Sequence, residues 1–418
     1  MRILHISETD VAGGRFTGFY TNRLIEPLGH SAEMAVWTKT SDAPHVTAFG
    51  GACRTWPERI LWRLDHALGL DGFSGTAGPK VFASDAFRRC DVVNLHLIHE
   101  YTRFSPLDLG PLSNLKPTVW TIHDCWAFTG MCLHPFECRG WTAGCLRWCP
   151  HRRPGSILAH LTPALLWRWK RRAYRQADVH LIAASEWMMK RIAESPLLRR
   201  FPCHQVPFGV DLAQFNPADK EGSRLRLGIA PDEHVVCFRG VRFARDLYKG
   251  MRWLFEALTL MALRRPTRLL IIDEGEDFAP LKDKYRTTNL GWVDGDRLAD
   301  AFRAADVFVM PSIAEAFGLM AVEAMACGTP VVVFEGTALP SVIRAPEGGI
   351  AVESRNATAL AKAVSAFLDD PEIRRSVGSS ARRLAEQEYS EALYVSRTLK
   401  VYEAAIRAYQ TRRPHAVP

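Results

Sequence analysis

Short runs of β-branched and apolar residues alternate with longer amphipathic stretches along this chain. In the first half the runs are Ile3–Ile6, Val92–Leu97, Val119–Ile122, Val179–Ala184 and His204–Pro207. In the second they are Val235–Phe238, Leu269–Asp273, Val307–Met310 and Val331–Phe334. Most are apolar throughout rather than every second residue, the pattern of strands buried on both faces. Separated by helical periodicity, they predict parallel sheets built from βαβ units. Each half has enough units for one doubly wound domain. The expected architecture is α/β, two Rossmann-like domains facing across a cleft where ligands of such sheets bind. The Gly- and Pro-containing segment Pro207-Phe208-Gly209-Val210-Asp211 through Asn216-Pro217 reads as the divide. It sets expected domains at 1–208 and 209–390, with a terminal helix and tail at 391–418.

Composition narrows the class. The 418 residues are 47% hydrophobic and 23% charged, which suits large cores and excludes a disordered or disulfide-scaffold chain. Apolar stretches break off well before the roughly 20 residues of a membrane span. No apolar signal core follows Met1-Arg2-Ile3-Leu4, so a cytoplasmic protein with reduced or metal-bound thiols is expected. The net charge of +8 is uneven: residues 1–210 hold 25 Lys+Arg against 17 Asp+Glu, whereas residues 211–418 balance at zero. Between Glu137 and Asp178 nine basic residues meet no acidic one. Within that stretch Trp167-Arg168-Trp169-Lys170-Arg171-Arg172 interleaves rings and cations, a pattern suited to an anionic membrane surface. The plainer alternative is a core-packing helix with buried Trp and solvated Arg.

Several motifs carry candidate chemistry. Gly13-Gly14 follows the first strand, where glycine lets backbone approach a phosphate, although a Gly-Gly turn is also ordinary structure. His123-Asp124 ends the run Thr118–Ile122, placing an imidazole at the carboxyl end of a buried strand. Cys125, Cys132, Cys138, Cys145 and Cys149 fall within 25 residues. The last four, spaced C-x5-C-x6-C-x3-C, are candidates for a structural tetrahedral zinc site, with metal-free buried thiols as the alternative. Arg239 ends a strand run, Arg242 follows, and Lys249-Gly250 opens the next helix. Cations there suit the departing charge of a diphosphate. Asp294-Gly295-Asp296 precedes a helix expected near Leu298 and reads as a cap, not a metal ligand. Glu315-Ala316-Phe317-Gly318-Leu319 leads through Glu323 into Cys327-Gly328-Thr329-Pro330-Val331. Phe317, Gly318 and Leu319 offer backbone N–H groups to phosphate at a helix start. Glu315 and Glu323 suit different hydroxyls of one ligand.

The two glutamates with seven residues between them, and the A-C-G-T-P-V-V continuation, resemble the signature of glycosyltransferase family 4. Pro311-Ser312, Lys249-Gly250, Gly209-Val210-Asp211 with Phe215, and His123-Asp124 fall in that family's order. The resemblance spans essentially the whole chain. The block T-I-H-D-C-W-A-F-T-G-M-C and its later cysteines resemble a subset from bacterial exopolysaccharide clusters, including colanic-acid-type transferases. The resemblance implies a GT-B fold, a UDP- or GDP-sugar donor, retention of anomeric configuration and no catalytic metal. It assigns Glu315 to the donor sugar's hydroxyls, Glu323 to the ribose, Lys249 and an arginine to the diphosphate, Gly14 to the phosphate or acceptor, and His123 to the sugar near the reacting carbon. The catalytic set is then His123, Glu315 and Lys249. Val241 stands where the family commonly has Arg, which leaves Arg239 and Arg242 as candidates, with Arg239 preferred. Phe208 replaces the usual Asn of N-G-V-D. The implied acceptor is a lipid-linked saccharide at the inner face of the plasma membrane. Competing classes are a GT-B-shaped sugar epimerase or phosphorylase and a zinc-stabilised nucleic-acid binder. The chain carries no recognised nucleic-acid motif, and nucleic acid is not an expected partner.

Overall fold

The structure, a computed structural model, describes residues 1–11, 17–49, 77–98, 104–145, 149, 162–240, 248–272 and 281–412, with isolated positions between 56 and 75. Gly14 and Arg242, both candidate ligands, lie outside the described residues. The chain forms two units, Met1–Val206 with Val395–Pro418, and Pro207–Tyr394.

The first unit is built on seven parallel strands: β1 Arg2–Thr9, β2 Ser31–Thr38, β3 Val46–Ala48, β4 Val92–Leu95, β5 Thr118–Ile122, β6 His180–Ala183 and β7 Cys203–Gln205. Their order is β3-β2-β1-β4-β5-β6-β7. β4 and β5 are buried at every position, the condition that makes a strand's sequence apolar on both faces. β2 and β3 escaped the sequence pattern. β2 carries Glu33 between buried residues, and β3 is three residues long with two exposed.

The chain's last helix, Glu391–Arg412, contributes to this unit from Val395 onward, so most of the expected terminal helix at 391–418 packs rather than trails. Tyr402 is fully buried, and its hydroxyl accepts from Asn94 Nδ2 at 2.9 Å. Asn94 Oδ1 accepts in turn from Thr121 Oγ1 at 3.0 Å. Tyr409 donates to the carbonyl of Leu115 at 3.0 Å.

The second unit holds β8 His234–Arg239, β9 Thr267–Ile272, β10 Arg286–Asn289, β11 Val307–Met310, β12 Val331–Phe334 and β13 Gly349–Val352. All are parallel, in the order β10-β9-β8-β11-β12-β13. The helices Met251–Leu260 and Ala357–Asp369 cover one face, packing on Phe238, Leu269, Val309 and Phe334. The two strands missed by pattern, β10 and β13, are the edges. β10 reads Arg-Thr-Thr-Asn and is largely exposed, so nothing demanded apolar side chains there. The order reverses between β8 and β11, where doubly wound sheets open a crevice at their carboxyl ends.

The Phe208-Gly209-Val210-Asp211 segment opens this unit as a packing hub. Phe208 sits edge-on to Phe317, centroids 5.2 Å apart. A Cβ on Gly209 would stand 2.7 Å from Glu391 Cα. Val210 donates to the Tyr389 carbonyl at 2.7 Å, and Asp211 caps Ala213 and Gln214. An aromatic ring at position 208 therefore serves the core.

Candidate active site

Lys249 and Glu315 meet after the two strands that flank the reversal. Lys249 Nζ donates to Glu315 Oε2 at 3.0 Å, with both side chains partly exposed. The chain turns that bring them together are tightly specified. Ile313 N–H donates to the Tyr248 carbonyl at 2.8 Å, tying the two loops side by side. Gly250 has φ +74°, and a Cβ there would stand 2.0 Å from the Pro311 carbonyl oxygen. Only glycine fits both the conformation and the approach.

Gly318 precedes the helix Leu319–Ala326 with φ +96°, and a Cβ would collide with Leu339 Cδ2 at 2.3 Å. The opening N–H groups of such a helix lack intrahelical acceptors and carry its positive end. Glu315 and this helix start are neighbours, since the Gly318 Cβ position lies 3.6 Å from Glu315 Cγ. The Phe317 ring is buried against Phe208 and Tyr389. Glu323 is 1% exposed. Arg239 ends β8 at the same reversal, its guanidinium over the Trp292 ring at 5.6 Å. Asp294 makes no side-chain cap for the helix, which begins at Gly295 rather than near Leu298. The expected capping role is thus corrected.

In the first unit His123 is joined to two residues that the motifs did not reveal. His96 Nδ1 lies 3.0 Å from His123 Nε2, and His5 Nδ1 lies 2.8 Å from His96 Nε2. Neighbouring rings stack, with centroids 5.3 and 5.1 Å apart. The three come from adjacent strands β1, β4 and β5, and two of them directly follow a strand's last residue, a repeated placement visible in sequence. Burial pushes His5 down to about 4, with His45 adding to it. Burial also drives His96 well below its ordinary value, with His5 and His123 adding. In a chain of neutral imidazoles each link has one donor and one acceptor, so the tautomers are set together.

The basic-aromatic face does not form as expected. Trp167 is 4% exposed and donates to the Trp141 carbonyl at 3.0 Å, and Lys170 is fully buried. Arg168, Arg171, Arg172 and Arg175 remain on the surface, and Trp169 is half-buried among them. The helix Thr162–Tyr174 turns its ring-bearing side inward because the Cys-containing loop packs there. Among the described residues no helix is long and apolar enough to cross a membrane. Cys132, Cys138, Cys145 and Cys149 line one cavity. They do not stand at coordination geometry, because among the described residues no three His, Cys, Asp or Glu side chains are disposed to hold a metal ion.

The family described as Glycosyl transferases group 1 matches residues 219–384. A D-inositol 3-phosphate glycosyltransferase of Streptomyces bingchenggensis is 32% identical over 418 residues, covering 85% of this chain and 91% of that protein. A protein of the same name from Pseudarthrobacter chlorophenolicus is 37% identical over 226 residues, covering 51% of this chain. The chain spans about half the length of several curated relatives it matches, 53% in that case. Among solved structures, sucrose-phosphate synthase of Thermosynechococcus elongatus is similar at TM-score 0.68 and 19% identity, covering 98% of this chain and 100% of the other. Anabaena Alr3699/HepE in complex with UDP and glucose is similar at TM-score 0.68 and 16% identity, covering 97% and 100%. These likenesses are to GT-B structures and concern the fold.

Proposed function

Because the chain belongs to the glycosyl transferases group 1 family, we propose that it is a retaining glycosyltransferase that moves a sugar from a UDP- or GDP-sugar to an acceptor hydroxyl without a catalytic metal. The observation that carries this reading is the 3.0 Å Lys249–Glu315 pair beside the Gly318 helix start, at the reversal of the sheet order. A cation and helix-start N–H groups suit a diphosphate, whose charge grows as the sugar leaves. A carboxylate beside them suits the sugar's hydroxyls. In the reaction the acceptor oxygen bonds to the anomeric carbon as the carbon–oxygen bond to the diphosphate breaks. The acceptor's proton passes to a diphosphate oxygen on the same face. Lys249 and Arg239 stabilise that leaving group, Glu315 orients the sugar and Glu323 the ribose. His123 and Gly14 keep the roles assigned by resemblance.

For the acceptor we infer a molecule bearing phosphate, supported by the charge excess of the first 210 residues. A lipid-linked saccharide of exopolysaccharide assembly, met at the inner membrane face, has that chemistry. A phosphorylated inositol, favoured by the relatives' names, shares it. Parallel assays with each acceptor separate the two. Release of nucleotide only when acceptor is present separates transfer from epimerisation.

The test is thermal unfolding against a panel of UDP- and GDP-sugars. Donor at a hundred times its Kd should stabilise the fold by about 2.7 kcal/mol. Lys249→Ala and Glu315→Ala should each lower the transfer rate at least about tenfold, the scale of one charge-assisted contact. Near-normal turnover in either folded variant overturns the reading.

A further inference from the structure

Four thiols that are far apart in the loop after His123 converge on one small space. Cys132, Cys138, Cys145 and Cys149 line a cavity with about 10 Å³ of free room, roughly that of one water-sized particle. Two of the sulfurs accept backbone hydrogen bonds. Gly130 N–H donates to Cys145 Sγ at 3.2 Å, and Gly140 N–H to Cys138 Sγ at 3.4 Å. Cys149 and Cys132 meet thiol to thiol.

A buried cation stands against the same loop. Lys170 is fully buried, and Nζ donates to the carbonyls of Trp126 at 2.6 Å, Thr129 at 3.1 Å and Gly130 at 3.3 Å. Its ammonium also lies 3.4 Å from the Trp126 ring centroid. Among the described residues the Asp124 carboxylate acts on Lys170, together with the Cys145 and Cys132 thiols, and a buried charge is costly unless it is compensated. Gly130 links the two features, its N–H on a cysteine sulfur and its carbonyl on the ammonium. Four neutral thiols or two disulfides would leave Lys170 with the Asp124 carboxylate but no anion from this cluster. Four thiolates around a dication would supply a net charge of −2.

We propose that Cys132, Cys138, Cys145 and Cys149 bind one zinc ion as a closed structural site, with Lys170 as its buried counter-cation. The thiols have to turn inward from the arrangement described above, each about a single rotatable bond. Binding exchanges four S–H protons for the metal, Zn²⁺ + 4 RSH giving Zn(SR)₄²⁻ + 4 H⁺. An all-sulfur set selects zinc over oxygen-seeking cations and leaves no open position for catalysis. The ion would staple the loop behind the strand that presents His123. The inference stands apart from the sugar-transfer reading, because stoichiometry and spectra need no donor.

The experiment measures metal in the purified full chain by elemental analysis, with Co²⁺ exchanged into the wild-type protein. One zinc per chain is expected, along with the intense visible bands and sulfur-to-metal charge transfer of tetrahedral Co²⁺–thiolate. Cys138→Ser with Cys145→Ser should lose the metal, whereas Cys203→Ser, outside the cluster, should keep it. Lys170→Met should release zinc to a chelator at least tenfold faster. Less than a tenth of a metal per chain, octahedral Co²⁺ spectra, or disulfides among these four cysteines in the wild-type protein would overturn the proposal.

Discussion

Replacing Gly250 by alanine tests whether the Lys249 turn is held where a donor needs it. Two separate costs are readable. The residue has φ +74°, a left-handed conformation that costs a Cβ-bearing residue about 1–2 kcal/mol. The new Cβ would also stand 2.0 Å from the Pro311 carbonyl oxygen, which no real contact permits. The turn must then back away from Pro311, and the 2.8 Å bond from Ile313 N–H to the Tyr248 carbonyl opens. Losing that bond costs about 1 kcal/mol more. The sum is about 2–3 kcal/mol, and the displaced turn carries Lys249 off Glu315. Gly228 supplies the control: it has φ +64° with nothing within 4 Å of its Cβ position, so Gly228→Ala has the conformational cost of about 1–2 kcal/mol alone. Urea unfolding of both variants, followed by donor-induced thermal shifts, compares them directly. Equal destabilisation of the two, with undiminished donor protection in Gly250→Ala, would refute the argument that this approach sets the site.

Two further expectations concern charge and pH. His5 is pushed down to about 4 when folded, and its unfolded value is about 6.5. The unfolded chain therefore binds more protons, and stability falls as pH drops from 6.5 to 4, by about 3 kcal/mol for this group. His96 acts in the same direction. A urea midpoint flat across that window would show the histidine chain is not buried and neutral. Asp306 lies at the foot of β11, where burial raises its carboxyl but Lys220, Arg224 and Arg374 outweigh burial and hold it below the usual range. Its contribution is present above the ordinary carboxylate value and is lost as pH falls through the depressed one. Asp306→Asn should cost about 3–5 kcal/mol at pH 7 and flatten the acid limb of the stability curve. An unchanged acid limb would remove Asp306 from the account.

Local sequence was enough for the parallel α/β architecture. Strands buried on both faces are apolar at most positions, so β1, β4, β5, β8, β9, β11 and β12 announced themselves without reference to any neighbour. Edge strands carry no such demand, and β10 and β13 could be found only from their pairing. The glycines at 250 and 318 stood out in motifs, but the reason for each is a partner distant along the chain, Pro311 and Leu339. The amphipathic run at 167–172 left open which side of its helix would meet the core. Packing of the Cys-containing loop decided it, burying Trp167 and Lys170. His123 was legible at the end of its strand, whereas its links to His96, 27 residues away, and through it to His5, 91 further back, were not. Those contacts arise because the sheet sets β1, β4 and β5 side by side in register. Sequence near a residue determines the element it joins, but strand order determines which residues become neighbours.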